Sequence, residues 1–345
     1  MAGSERGGPL DVLIVSLGST AGLRGADTEL ADSLRRAGAS VAVVLAASPL
    51  RPLRTLALTD LAWALTARRA ATAGLAEHRP RAVIYSSTTA ALCWPRPGAI
   101  RFDAPSAGNR PGRHGLWQRP LERRRLAQAP LLLPWSAGAL AEAPASARVA
   151  DRALVLPVPV EPSGAPAQVR DIAAITYGAN PAKKGLDRVL AAWERVRRAD
   201  ERLLVAGVAA ADLDRAGISV PADGEGVRVT GPLAPAEYRA LLRRARVFVC
   251  APRREDYGIA PLEALADGCL LVTTPAPGPY AALPIARALD PRLVSGDLGV
   301  ALRTALDDPT PGYGTRATSA LVSYTRAAAD RGVRDELLPR LLSSA

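Results

Sequence analysis

The sequence predicts an α/β protein built from two domains, each a parallel β-sheet covered by helices. Two runs of alternating strands and helices indicate this, one in each half of the 345-residue chain. Strands that alternate with helices pair in parallel and are covered on both faces. A length of 345 residues also suits two domains better than a single hydrophobic core.

The first run begins with an apolar strand at 12–15, a glycine-containing loop over 18–25 and a helix over about 27–37. It continues with strands at 41–44, 82–85, 99–102 and 131–133 and a long helix over about 59–78. The second run has strands at 172–176, 203–206, 227–230, 247–250 and from 270, and helices at 186–198, 236–244 and from 263. A helical tail is predicted over about 315–342.

A segment rich in Pro, Ala and Gly separates the two runs. It covers 157–168, has little periodicity and is typical of an interdomain linker. The predicted organisation is therefore a first domain over 1–158, a linker over 159–170, a second domain over 171–312 and C-terminal helices over 313–345.

The composition indicates a globular cytoplasmic protein. Apolar residues make up 48% of the chain, the N-terminus has no secretory pattern, and no apolar stretch is long enough to cross a bilayer. The three cysteines have neither disulfide nor metal-site spacing, so Cys250 and Cys269 are predicted to be small buried hydrophobes. Despite a net charge of +11, the low aromatic content of 4% argues against nucleic-acid binding.

The densest basic cluster consists of Arg119, Arg123, Arg124 and Arg125, with Arg110 and Arg113 nearby. One interpretation is a solvated helix face. The other is a surface attracted to an anionic acceptor or to anionic lipid, which would place the protein peripherally at the inner face of the membrane.

The most informative segment follows the strand at 247–250. Glu255 lies in the loop after this strand, and Glu263 is predicted in the first turn of the next helix, which Gly268 would end. Open α/β sheets bind ligands at the carboxyl ends of their strands. A helix start there offers free N–H groups and a positive dipole end to an anion such as phosphate. Two carboxylates beside an anion site predict a nucleotide-sugar pocket.

The spacing Glu255-x7-Glu263 resembles the signature of the retaining GT-B glycosyltransferases, the large family-4 group. The likeness continues through 264–268 and through 271–274. It implies two Rossmann-like domains facing across a cleft and C-terminal helices, over 313–345, that cross back to the first domain. It also implies metal-independent transfer of a sugar from a nucleotide-diphosphate sugar with retention at the anomeric carbon. No cofactor is implied, and the acceptor is a glycan, a lipid or a small molecule. The competing interpretation is an ordinary βαβ unit with solvated carboxylates.

A second motif, over 177–187, is similar to the family element in which an Arg and a Lys grip the diphosphate. Lys184 stands at the Lys position, whereas Ala179 replaces the Arg. Arg253 or Arg254 could supply the missing charge. The only lysines of the chain are Lys183 and Lys184, which indicates that a compact ammonium is wanted here. Lys183 is expected to face solvent.

The resemblance assigns roles to further residues. Glu263 would bind ribose hydroxyls and Glu255 the sugar near the leaving phosphate, while the donor would also contact Gly18, Gly178, Gly258, Ile259 and Ala260. Where the family has a His-Asp pair, this chain has Phe102 and Asp103, so Asp103 is a catalytic candidate. His114, in a basic glycine-rich loop, is an acceptor-side candidate.

Two other functional interpretations stay open from the sequence. Ala179 and Phe102 are compatible with a degenerate, non-catalytic partner protein that binds sugar nucleotides. A GT-B epimerase is the third alternative, although the context of Glu255 and Glu263 favours transfer. Since no Asp or Glu is placed as a nucleophile, front-face attack assisted by the departing diphosphate is the expected mechanism.

Overall fold

The computed structural model describes residues 10–48, 55–148, 150–165, 167–220 and 226–343. The chain forms two compact units. The first consists of Met1–Pro159 together with Arg326–Ala345, and the second is Val160–Thr325. No described helix is long and apolar enough to cross a membrane.

The first unit contains a five-stranded parallel sheet in the order β2-β1-β3-β4-β5. Its strands are β1 (Val12–Ser16), β2 (Val41–Leu45), β3 (Ala82–Tyr85), β4 (Ala99–Phe102) and β5 (Leu132–Pro134). Its helices are α1 (Ala21–Arg36), α2 (Leu56–His78), α3 (Thr88–Ala91), α4 (Gln118–Gln128) and α5 (Ala137–Glu142), with single turns at Ser106–Gly108, Gly112–Gly115, Ala145–Ala147 and Ala150–Arg152.

Both faces of this sheet are buried, because alternate residues of β1 belong to different core clusters. Leu13 and Val15 pack on the side of α2, whereas Val12 and Ile14 pack with Leu30 of α1. The latter cluster also contains Val333, Leu337 and Leu341 from the end of the chain. These three belong to a final helical stretch made of α14 (Arg326–Gly332), a π-helical turn (Val333–Leu337) and α15 (Leu338–Ser343).

The second unit contains a parallel sheet in the order β10-β9-β6-β7-β8. Its strands are β6 (Ile172–Tyr177), β7 (Leu203–Ala206), β8 (Val227–Gly231), β9 (Ala245–Cys250) and β10 (Leu270–Thr273). Its helices are α6 (Pro181–Lys184), α7 (Leu186–Val196), α8 (Ala210–Arg215), α9 (Pro235–Arg244), α10 (Ile259–Ala266), α11 (Ala282–Leu289), α12 (Leu298–Asp307) and α13 (Tyr313–Ala320), with turns at Pro291–Leu293 and Val322–Tyr324. Two helix-covered parallel sheets confirm the predicted α/β class.

The predicted bounds and number of the helices need correction. Helix α1 begins at Ala21 rather than at 27, since the Thr20 side chain caps it by accepting a hydrogen bond from Leu23 N. The predicted loop 18–25 is therefore short. Within the predicted helical tail, α13 belongs to the second unit and α14 and α15 to the first, the unit to which the tail is expected to return. Helices α3, α5, α6, α8 and α11 were not predicted.

Candidate functional site

The strand order fixes where the second unit can hold a ligand. Strand β6 pairs with β7 on one side and with β9 on the other, so the order of the sheet reverses between β6 and β9. In open α/β sheets, ligands bind beyond the carboxyl ends of the strands at such a reversal. The loops that follow β6 and β9 carry Lys184 and Glu255, respectively.

The loop after β6 is shaped by residues with left-handed backbone conformations. Asn180 (φ 55°) caps the single turn α6 by accepting a hydrogen bond from Lys183 N. Gly185 (φ 63°) follows that turn, and a Cβ at this position would lie 2.0 Å from the Ala251 carbonyl oxygen. Only glycine permits this approach. A hydrogen bond of 3.0 Å from Arg253 N to Lys183 O joins the two loops.

The two predicted catalytic residues of the second unit form an ion pair. Lys184 Nζ donates to Glu255 Oε2 at 2.6 Å. The Glu255 side chain is 8% exposed and the Lys184 side chain 24% exposed. Burial strengthens such a contact, and it also makes the loss of either partner costly. The structure thus places a cation and a carboxylate in contact at the reversal of the sheet.

A second ionic cluster lies beside the first and corrects the expectation that Lys183 faces solvent. Lys183 Nζ donates to Asp256 Oδ2 at 2.5 Å, and Arg254 Nε donates to Asp256 Oδ1 at 3.0 Å. Asp256 is buried. Because α6 is a single turn, both of its lysines reach the loop after β9, which sequence spacing alone does not reveal.

Arg253 is engaged at the exposed side of the same loop. Its guanidinium donates to both carboxylate oxygens of Asp187, at 2.9 and 2.7 Å, and to the Ala182 carbonyl. The hydrogen bonds from Arg253 lower the pKa of Asp187. Of the two arginines predicted to replace the cation missing at Ala179, Arg253 therefore has its charge matched by a neighbouring carboxylate.

Helix α10 begins directly after Gly258 (φ 85°), so Ile259 and Ala260 are its first two residues. The first N–H groups of a helix have no partner within it and attract anions. A Cβ at Gly258 would lie 2.9 Å from the Tyr280 ring. Glu263 is the fifth helical residue, in the second turn rather than in the first as predicted.

Glu263 contacts a residue that the sequence did not indicate. Arg239 of α9 places Nη1 3.5 Å from Glu263 Oε1, and its Nε donates to Asp267 Oδ2 at 2.6 Å. Its Nη2 donates to the Glu161 carbonyl at 2.6 Å. Burial, together with repulsion from Asp267, raises the pKa of Glu263 to about 7, although Arg239 opposes the shift.

This pKa predicts a pH-dependent stability. A carboxyl whose pKa rises on folding stabilises the fold while it is protonated, and that contribution is lost as the pH rises through about 7. We expect Glu263→Gln and the wild type to unfold with the same free energy near pH 4. At pH 8 the variant should be more stable by about 1–3 kcal/mol. Urea unfolding at both pH values measures this, and a difference independent of pH would contradict it.

The remaining predicted donor residue of this unit, Gly178, is buried at the end of β6. A Cβ there would lie 2.6 Å from Val208 Cγ1, so the backbone is closely packed at this point.

A cavity of 590 Å³ opens beside the loops after β9 and β10. Arg188, Arg253 and Thr274 are among its lining residues, whereas Lys184 and Glu255 are not.

Gly18, Asp103 and His114 belong to the first unit. Gly18 (φ 57°) follows β1, and its N–H donates to Ser16 Oγ at 3.1 Å. Asp103 is half-buried after β4, where its carboxylate accepts a hydrogen bond from Ala104 N at 2.8 Å. His114 is exposed in the turn Gly112–Gly115.

Strand β4 contains a buried charged residue, Arg101, that the sequence did not indicate as functional. Arg101 is 1% exposed, and its Nη1 donates to the Ala26 carbonyl at 3.1 Å and to Asp27 Oδ1 at 3.4 Å. The guanidinium also lies 4.9 Å from the Trp135 ring centroid. Burial raises the pKa of Asp27 despite this partner. The pair links α1 to the strand that ends just before Asp103.

Among the described residues, no group of three or more His, Cys, Asp or Glu side chains is arranged to hold a metal ion. Cys250 and Cys269 are buried, as predicted.

Comparison with known proteins finds one family model that matches part of the second unit. Residues 172–290, the span from β6 into the segment after α11, match the model of the glycosyl transferases group 1 family. No curated protein sequence matches the chain.

Solved structures resemble the chain over nearly its whole length. Sucrose-phosphate synthase from Thermosynechococcus elongatus has a TM-score of 0.66 at 15% identity, with 98% of this chain and 100% of that chain covered. Anabaena HepE in complex with UDP-glucose has a TM-score of 0.66 at 13% identity, with 98% of this chain and 100% of that chain covered. A trehalose-phosphate synthase from Burkholderia xenovorans has a TM-score of 0.65 at 15% identity, with 97% of this chain and 100% of that chain covered.

At these identities the likeness establishes the fold, and the family match covers the unit that carries Lys184, Glu255 and Glu263. The chain thus has the GT-B fold, and its residues 172–290 match the model of the glycosyl transferases group 1 family.

Proposed function

We propose that this protein transfers a sugar from a nucleotide-diphosphate sugar to an acceptor. The observation that carries the proposal is the contact of Lys184 with Glu255 at the reversal of the second sheet. The family match covers both residues. HepE, which has the same fold, has been solved with UDP-glucose, which supports a nucleotide-diphosphate hexose as the donor.

The proposed chemistry follows from the charges of the site. As the bond between the anomeric carbon and the diphosphate oxygen breaks, negative charge grows on the diphosphate. The Lys184 ammonium and the first amides of α10 would stabilise that charge. Glu255 would accept hydrogen bonds from sugar hydroxyls beside the leaving group, and Glu263 those of the ribose.

We also propose that the anomeric configuration is retained and that no metal is required. Front-face attack by the acceptor, whose proton passes to the departing diphosphate, gives retention without a protein nucleophile. The cation that neutralises the diphosphate is then Lys184 itself. Asp103 and His114 stay predictions for the acceptor side.

The direct test is slow hydrolysis. The protein would be incubated with a panel of nucleotide-diphosphate sugars, with and without EDTA, and the release of nucleotide diphosphate followed together with the anomer of the free sugar. We expect one donor to be consumed in both conditions, with its anomeric configuration retained. Loss of turnover in EDTA would contradict the metal-independent mechanism, and an inverted product would contradict retention.

The second candidate function is a non-catalytic protein that binds sugar nucleotides. Ala179 favours it, because the cation expected at that position is absent. Binding of nucleotide without turnover of any donor or donor–acceptor pair would support this alternative over transfer.

Glu263→Ala separates donor binding from catalysis. Loss of the ribose contact should weaken nucleotide-diphosphate binding by about 1–3 kcal/mol. Isothermal titration calorimetry measures this, with Glu237→Ala, an exposed glutamate at the start of α9, as the matched control. Unchanged affinity in Glu263→Ala would remove this residue from the donor site.

A further inference from the structure

Helix α2 has an inverted distribution of side-chain sizes. The residues that it buries are mostly small, namely Ala64, Ala67, Ala71 and Gly74. Its leucines Leu58, Leu61 and Leu65 point outward and are 49%, 36% and 42% exposed. Their spacing of three and four residues places them on one side of the helix. A soluble helix normally shows the opposite arrangement.

The same side of α2 is basic and has no exposed acid. Arg68 and Arg69 follow Leu65 at the same spacing, and both are exposed. Between residues 55 and 76 the only carboxylate is that of Asp60, which is buried and accepts two hydrogen bonds from Arg110, at 2.6 and 2.9 Å. The exposed charge of this stretch of helix is therefore positive.

A neighbouring turn extends this surface. The turn Gly112–Gly115 contacts α2, and Arg113 within it is exposed. The next residue, Leu116, is 64% exposed, more than any of the α2 leucines. We call Leu58, Leu61, Leu65, Arg68, Arg69, Arg113 and Leu116 the leucine–arginine face.

We propose that the leucine–arginine face docks the first unit onto an anionic lipid bilayer. A helix that lies in the interface of a membrane buries its apolar side chains just below the headgroups, and nearby Arg residues attract anionic lipid. The face combines both features on one helix and one adjacent turn. The exposed leucines alone would also suit an apolar protein partner. The absence of exposed carboxylates between residues 55 and 76 favours anionic lipid, because a protein partner would not require it.

This surface shares Arg113 with the basic residues predicted around α4 but contains none of the arginines of α4 itself. Arg119 donates to the backbone carbonyls of Gly112 and Gly115, and Arg125 donates to the Leu92 carbonyl and lies over the Trp94 ring. These two side chains serve packing of the fold. Lipid binding at the leucine–arginine face rests on exposed leucines and is independent of the proposed sugar transfer.

Vesicle co-sedimentation tests the proposal. The full chain would be mixed with vesicles of phosphatidylcholine and phosphatidylglycerol, or of phosphatidylcholine alone, at low and high salt. We expect binding to the anionic vesicles, weakened by salt. The triple variant Leu58→Ser/Leu61→Ser/Leu65→Ser should bind at least about tenfold more weakly, since three apolar insertions are lost. Val300→Ser, which removes a residue that is 62% exposed on α12, is the matched control.

A second variant keeps the test informative if the triple variant folds poorly. Arg68→Gln/Arg69→Gln leaves the leucines intact and should reduce binding to anionic vesicles about tenfold or more, with little change on neutral ones. The proposal is overturned if the wild type does not bind anionic vesicles, or if all these variants bind like the wild type. It is equally overturned if sedimentation velocity shows a dimer that the triple variant dissociates while vesicle binding is unchanged.

Discussion

Lys184→Ala should lower turnover on an identified donor by about 100-fold or more. The Lys184 ammonium is the cation held at the reversal of the second sheet, 2.6 Å from Glu255. A preorganised charge in a partly buried site stabilises the developing diphosphate far more than the same charge in water. Steady-state kinetics on one donor, with kcat and KM separated, measures the loss.

Two control variants distinguish a loss of catalysis in Lys184→Ala from a loss of folding stability. Arg188→Ala removes a cation from α7 that is exposed and should change turnover little. Lys184→Ala also leaves the Glu255 carboxylate buried without its ammonium, which costs stability. In the double variant Lys184→Ala/Glu255→Gln that stability should return while turnover stays low. Recovery of turnover in the double variant, or an equal loss in Arg188→Ala, would contradict the catalytic assignment.

The strands were the best predicted part of the fold. The strand Leu203–Ala206 matches its predicted bounds, and 172–176 is one residue shorter than Ile172–Tyr177. Strands buried on both faces appear in the sequence as short apolar runs, so their positions can be predicted without knowledge of neighbours. Helix α1 was misplaced because two glycines, Gly22 and Gly25, lie inside it and resemble a loop in sequence.

The candidate site was predictable only as far as local sequence determines it. The motifs around Lys184 and Glu255 indicated two loops, but their contact depends on β6 lying beside β9, which is a property of the whole sheet. Arg239 was missed for the same reason. It lies on α9, 24 residues before Glu263, and nothing in its own segment distinguishes it from other surface arginines. Arg101 was hidden because it is flanked by Ile100 and Phe102 in an apolar strand.

Burial distinguishes the two arginines that could replace the cation missing at Ala179. Arg253 is paired with Asp187 on the exposed side of the loop. Lys183 and Arg254 both contact Asp256. The Arg254 side chain is 17% exposed, against 45% for Arg253. Arg254 is therefore the better candidate.

We expect Arg254→Gln to lower turnover about as much as Lys184→Ala does, by about 100-fold, because it removes a largely buried cation beside the proposed diphosphate site. Arg253→Gln is the matched control and should stay within about threefold of the wild type, since solvent screens its exposed pair with Asp187. Both variants would be measured on the same donor, together with their melting temperatures. A larger loss in Arg253→Gln than in Arg254→Gln would reverse the assignment.

Restoring the family residue completes this prediction. Ala179 is half-buried in the loop between β6 and α6, so an Arg at this position would extend from the same loop that leads to Lys184. A unit charge 4 Å from the diphosphate is worth about 4 kcal/mol at an effective dielectric constant of about 20, whichever loop supplies it. Ala179→Arg should therefore raise the turnover of Arg254→Gln about tenfold or more. It should not restore the turnover of Lys184→Ala/Glu255→Gln, because that double variant also lacks the carboxylate proposed to contact the sugar. If Ala179→Arg leaves the turnover of Arg254→Gln unchanged, Arg254 does not substitute for the cation missing at Ala179.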